Sequence, residues 1–105
     1  GSVDELIAAK AHTRFYPHRT SHWLGLDVHD AGSYREQGEP VRLMPGMVLT
    51  IEPGLYIDPA DDIPAEFHAI GIRVEDDALV TETGAALLTR DVPVAIDAIE
   101  ALMGQ

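Results

Sequence analysis

A chain of 105 residues and 11.4 kDa has room for one small domain, or for part of a larger one. Seven Lys+Arg against 18 Asp+Glu give a net charge of −11, which excludes a basic nucleic-acid footprint and disfavours anionic membrane surfaces. Hydrophobic residues make up 46%, ordinary for a globular core. No apolar run is long enough to span a membrane, and no cysteine is available for disulfides or zinc–thiolate sites, which fits a reducing, cytoplasmic location.

Gly1-Ser2 lack an initiator Met and read as the scar of a cleaved purification tag, with native sequence from about Val3 onward. No signal peptide is visible, and the same start is expected of a deliberate excerpt from a longer protein. Ser2 to Ala11 reads as a short helix: Ser2 and Glu5 are spaced as a capping box, and Val3, Leu6 and Ile7 share a face. Pro17 closes that region. His18 to Asp30 is expected to be extended, with Gly25 in its middle, and residues 31–46 a polar loop rich in Gly and Pro.

Met47 to Ile57 gives the strongest strand signal, bounded by Pro45-Gly46 and Asp58-Pro59, with Pro53-Gly54 marking a bulge or bend. An acidic, proline-containing excursion runs from Asp58 to Ala65. Ile70 to Val74 and Ala78 to Thr81 read as a hairpin joined at Asp76-Asp77. A second turn at Glu82-Thr83-Gly84 leads into a short strand from Ala85 to Thr89. Pro93 to Met103 is amphipathic, with Ile96, Ile99 and Leu102 in register and Gly104 at the C-cap position. Strands in the middle and helices at the ends make an α+β domain.

Four of the five histidines fall between positions 12 and 29. His18, His22 and His29 share that span with Asp27 and Asp30, and imidazole with carboxylate suits Mn, Fe, Co or Zn. The bland alternative is a chance cluster of surface histidines. Glu52 follows an apolar run and, by alternation, shares a face with Val48 and Thr50; a solvated strand end would explain it alone. Glu75 shares a face with Gly71 and Arg73, where a cross-strand Arg–Glu pair on a solvent face serves equally well. Neither glutamate marks a site by itself.

Together the pieces resemble one family. His18-Arg19-Thr20-Ser21-His22-Trp23-Leu24-Gly25-Leu26-Asp27-Val28-His29-Asp30 is similar to the signature segment of the pita-bread metallopeptidases that include aminopeptidase P and prolidase. Leu43-Met44-Pro45-Gly46-Met47-Val48-Leu49-Thr50-Ile51-Glu52-Pro53-Gly54 resembles that family's second metal segment, and Gly71-Ile72-Arg73-Val74-Glu75-Asp76-Asp77 its third. The likeness runs in order through nearly everything after Arg14. Arg19-Thr20 departs from the Gly-Leu more usual there.

The resemblance implies the C-terminal half of a pita-bread catalytic domain, a curved, mostly antiparallel sheet with flanking helices, over residues 3–105. It implies two divalent metal ions, usually Mn²⁺, held by five side chains. Three of them map to His22, Glu52 and Glu75, and two are aspartates from an upstream half that this chain does not contain. His18 and His29 match non-ligand histidines that contact substrate and stabilise the tetrahedral intermediate. Arg73 matches an arginine on the substrate side that holds carboxylates in place. Paired metals activate water and polarise the scissile carbonyl; Glu52 can then take the proton of the attacking water and His29 can donate to the oxyanion.

The expected activity of the parent protein is Xaa-Pro aminopeptidase, acting on peptides with proline in second position. The 105-residue chain alone is expected to be inactive. Its expected partners are the upstream half of its own domain and, through an open sheet edge, further copies in a homo-oligomer. The alternatives are prolidase, which cleaves only the Xaa-Pro dipeptide, and a non-catalytic binding module on the same fold; an acidic α+β interaction domain with coincidental motifs does not survive three ordered matches. The excursion before Gly71-Ile72-Arg73 looks more like the aminopeptidase P pattern.

Overall fold

The computed structural model describes residues 1–104. Helix α1 (Val3–Ala8) opens the chain and helix α2 (Ile96–Met103) closes it. Between them lie β1 (Arg35–Glu36), β2 (Glu39–Pro40), β3 (Val48–Ile51), β4 (Gly54–Ile57), β5 (Ile70–Arg73), β6 (Asp76–Thr81) and β7 (Gly84–Leu87). The order is the α+β one that the sequence suggests. Among the described residues, no helix is long and apolar enough to cross a membrane.

Two compact units are assembled from interleaved stretches, the first from residues 1–20 and 52–74, the second from 21–51 and from 75 onward. The chain passes between units at Thr20-Ser21, Ile51-Glu52 and Val74-Glu75.

In the first unit, α1 starts where the capping box places it: Ser2 Oγ accepts from the Glu5 backbone N–H at 3.3 Å, and Glu5 Oε2 accepts from Ser2 N at 2.7 Å. The helix stops at Ala8 rather than Ala11, because its apolar face is unpacked and short helices need packing to persist. A left-handed Lys10 (φ 55°) then starts a 3₁₀ turn over Ala11–Arg14. Strands β4 and β5 pair antiparallel, Gly54 opposite Arg73 and Ile57 opposite Ile70. Their connection is the acidic excursion, closed by Ala69 N–H donating to Ile57 O at 2.8 Å. Arg14 tethers it with a two-pronged bond to Asp62, at 2.6 and 2.7 Å.

In the second unit, β6 lies between β3 and β7, all antiparallel. Ile51 stands opposite Asp76, and Thr81 opposite Gly84 across the expected Glu82-Thr83 turn. Residues 22–24 line the other edge of β3: Leu24 N–H donates to Val48 O at 3.1 Å, and Thr50 N–H to His22 O at 3.0 Å. Thr50 and Ala78 are each 2% exposed, and Asp76 is buried beside them.

Pairings and boundaries differ from expectation at several points. Residues 70–74 do not form a hairpin with 78–81; Asp76 and Asp77 lie inside β6, and β5 pairs with β4 instead. Asp-Asp favours turns because its carboxylates can bond nearby backbone, but Asp76 spends its carboxylate on Thr89 and Arg90. The stretch from 47 to 57 is two strands belonging to two ladders, separated at Pro53, which has no N–H for a ladder. The loop at 31–46 contains the small β1–β2 hairpin, turned by Gln37 and Gly38, both at positive φ (52° and 88°) as a type I′ turn requires. At the C-terminus, α2 begins at Ile96 rather than Pro93, and the Gly104 N–H caps it by donating to Glu100 O at 3.0 Å.

Candidate metal centre

In the second unit, His22 sits on the segment bonded along β3. Its backbone N–H donates to Thr50 Oγ1 at 3.1 Å, and its ring Nδ1 lies 2.9 Å from Trp23 O. A carbonyl can only accept, so Nδ1 carries the proton and Nε2 keeps the lone pair that binds metals. Ligand atoms of His22 and Glu75 lie within 4.8 Å of one another. The His29 ring packs edge-on against His22, centroids 4.4 Å apart, and is exposed. Around them the chain doubles back between Trp23 and Asp30, with Asp30 N–H donating to Trp23 O at 3.0 Å. A Cβ at Gly25 would stand 2.0 Å from Asp30 Oδ2, so a larger residue there would push the Asp30 carboxylate aside.

In the first unit, Glu52 is only 8% exposed, which removes the solvated strand end as its explanation. Its backbone N–H donates to Thr20 O at 2.7 Å, and its Oε2 lies 3.7 Å from Arg73 Nη1. A buried carboxylate needs such a counter-charge or a cation. His18 is held at both ring nitrogens, Nδ1 to Arg19 O at 2.8 Å and Nε2 to the Tyr56 hydroxyl at 2.7 Å. Tyr16 and Tyr56 flank that imidazole edge-on, and the Tyr16 and Thr20 hydroxyls are 2.7 Å apart.

Of the expected site residues, His22, His29 and Glu75 belong to the second unit, and His18, Glu52 and Arg73 to the first. Each proposed ligand lies within two residues of a point where the chain changes unit. Sequence reasoning missed Thr50 and Tyr56, which support His22 and His18. Alternation puts Thr50 on the face of Glu52 but says nothing of its bond to His22, and the Pro53-Gly54 break interrupts the alternation before Tyr56. One imidazole with carboxylates suits a divalent cation of the Mn, Fe, Co or Zn group, and leaves coordination positions for water and substrate.

The sequence profile of Metallopeptidase family M24 matches residues 1–82. The chain belongs to this family. It is 55% identical over 103 residues to the Xaa-Pro aminopeptidase of Escherichia coli, covering 98% of this chain and 23% of that protein. It is 40% identical over 105 residues to human Xaa-Pro aminopeptidase 3, covering 99% of this chain and 20% of that protein. Among solved structures, an aminopeptidase from Pseudomonas aeruginosa superposes with a TM-score of 0.93 at 51% identity, over 99% of this chain and 24% of that one. Aminopeptidase P from E. coli, solved with the inhibitor Pro-Leu, gives 0.90 at 56%, over 99% and 24%. The family chain described here thus spans about a quarter of the length of these relatives, and its α+β elements are those of the pita-bread fold.

Proposed function

We propose that the protein carrying this chain is a metal-dependent Xaa-Pro aminopeptidase. It would hydrolyse the peptide bond between an N-terminal residue and a following proline. Residues 3–105 would form the C-terminal portion of its catalytic domain. The observation that carries the reading is His22, whose Nδ1 is committed to Trp23 O while a Glu75 oxygen lies within reach of the same ring. Close identity to Xaa-Pro aminopeptidases, and the proline-containing inhibitor bound by the E. coli protein, support the reaction and substrate class.

His22, Glu52 and Glu75 would be ligands, and two upstream aspartates would complete a site for two divalent ions, with Mn²⁺ favoured by hard carboxylate oxygens. When bound, such ions supply Lewis acidity and water that ionises near neutral pH. Glu52, held by Arg73, takes the proton of the attacking water. His29, exposed beside His22, donates to the oxyanion of the tetrahedral intermediate, where a donor counts most. His18 and Arg73 lie on the substrate side, with His18 steadied by Tyr56. The lack of cysteine supports a cytoplasmic setting.

The test uses the full-length protein, stripped with chelator and reloaded with Mn²⁺. Release of the first residue from Xaa-Pro-Yaa tripeptides, restored by Mn²⁺, is expected. Cleavage confined to Xaa-Pro dipeptides would assign prolidase. Metal binding with neither activity would leave a binding module.

A further inference from the structure

We propose that Thr89 and Arg90, just beyond β7, are positioning residues for Glu75, acting through the buried carboxylate of Asp76. The inference rests on the reading of Glu75 as a metal ligand. It extends the metal-binding machinery into a segment that none of the three sequence motifs reaches.

Asp76 is 8% exposed, one of few residues so enclosed among those described. A carboxylate buried to that degree must be matched on both oxygens. Thr89 Oγ1 donates to Asp76 Oδ1 at 2.9 Å, and Arg90 Nη2 pairs with Oδ2. The same Thr89 oxygen accepts from the Asp77 backbone N–H at 3.0 Å, so one hydroxyl uses its donor and an acceptor on neighbouring residues of β6. Leu88 N–H donating to Asp77 O at 2.8 Å closes the clamp.

The clamp grips the end of β6 that matters. Ile51 opposite Asp76 is the last rung of the β3–β6 ladder, and Glu75 is the residue before it, outside any strand. Ladder hydrogen bonds therefore stop one residue short of the ligand. What fixes the chain direction at Glu75 on its C-terminal side is the anchoring of Asp76. Loosening that anchor lets the Glu75 carboxylate sample orientations away from the His22 ring. Metal affinity then falls even though the protein remains folded. Support of this kind around ligands is typically worth about 10–100-fold in metal affinity, and an indirect support belongs at the low end.

The test measures Mn²⁺ binding by calorimetry to chelator-stripped full-length protein, well below its melting temperature. Thr89→Val keeps the side-chain volume and removes the hydroxyl; it is expected to weaken binding about tenfold. Thr89→Ser should restore affinity to within about twofold of the parent. Arg90→Met, which leaves the Thr89 hydroxyl in place, should also weaken binding, and carries the test if Thr89→Val does not fold. A lower melting temperature with unchanged Mn²⁺ affinity in both variants would make the clamp merely structural and overturn the proposal, as would failure of both to fold. Glu75→Gln, run in parallel, separates the two claims. If it binds Mn²⁺ as the parent does, the ligand reading itself fails; if it loses binding while Thr89→Val and Arg90→Met do not, only the clamp fails.

Discussion

His22 and His29 touch edge to edge, yet their surroundings differ in ways that suit the different roles proposed for them. His22 is half-buried, with Nδ1 committed to a carbonyl and its backbone tied to Thr50. His29 is exposed and free to meet a substrate oxygen. In the full-length protein, His22→Ala should therefore lose bound metal, measured by elemental analysis, together with activity. His29→Ala should keep its metal and lose about 10²–10³-fold in kcat, the usual cost of one oxyanion donor. A metal-depleted His29→Ala beside a metal-replete His22→Ala would reverse the two roles. Thr50→Val is nearly isosteric but strands the His22 N–H without its acceptor; a loss of about 1–3 kcal/mol in denaturant unfolding is expected. The expected chemistry-bearing residues were legible because imidazole and carboxylate are conspicuous in a short span. Thr50, Tyr56 and the Trp23 carbonyl were not, since a backbone oxygen leaves no trace in sequence and a threonine or tyrosine in a strand looks like ordinary β-propensity.

Local patterning served the secondary elements unevenly. The capping box located the start of α1, and the Pro53-Gly54 pair located the break between β3 and β4. Pairing was misread where two sequence-local signals competed with one distant partner: Asp76-Asp77 looks like a turn, but β5 finds β4 across the 58–69 excursion. Turn chemistry does not reveal such non-local partners; in the β3–β6 ladder it is the burial of Thr50, Asp76 and Ala78 that holds β6 away from a turn at Asp76-Asp77. The excursion itself carries a pH-dependent tether. The Arg14 guanidinium, chiefly through its hydrogen bonds and then through its charge, draws the Asp62 carboxyl down to about 2 from its ordinary 3.8. Because the folded form holds its proton less tightly, the tether's contribution is complete above the ordinary carboxylate range. It is lost as pH falls through about 4 toward 2. Both side chains are largely exposed, so the effect is local and salt-sensitive. Hydrogen exchange across residues 58–69 should accelerate over that acid window relative to the rest of the chain, after correction for intrinsic exchange. Asp62→Asn should exchange fast at every pH. A tether that holds equally at pH 2 and pH 6 would contradict this picture.

The surface of the whole chain argues against independence. Its accessible area is 8387 Å², whereas a self-contained folded protein of this mass exposes about 5,800 Å². Among the described residues Ala78 is the one buried hydrophobic side chain, while Leu26, Ile72, Ile96 and Met103 stand largely in solvent. Residues 22–24 bond along one edge of β3, but β7 remains exposed along its length. Exposed apolar surface on this scale draws partners, and an uncovered strand edge offers them a template. On the proposed five-ligand site, two ligands would come from the upstream half, so His22, Glu52 and Glu75 alone would hold at best one ion weakly. The 105-residue chain by itself is therefore expected to self-associate in sedimentation and to release no first residue from an Xaa-Pro-Yaa peptide in excess Mn²⁺, at under about 1% of the full-length rate, since losing ligands removes the interactions made only in the transition state. On the proposed reading, adding the upstream half in trans should restore cleavage by supplying the missing ligands, and should disperse the aggregates if it covers the exposed apolar surface. Turnover by the chain alone at the full-length rate would show that three ligands suffice and would sink the five-ligand site.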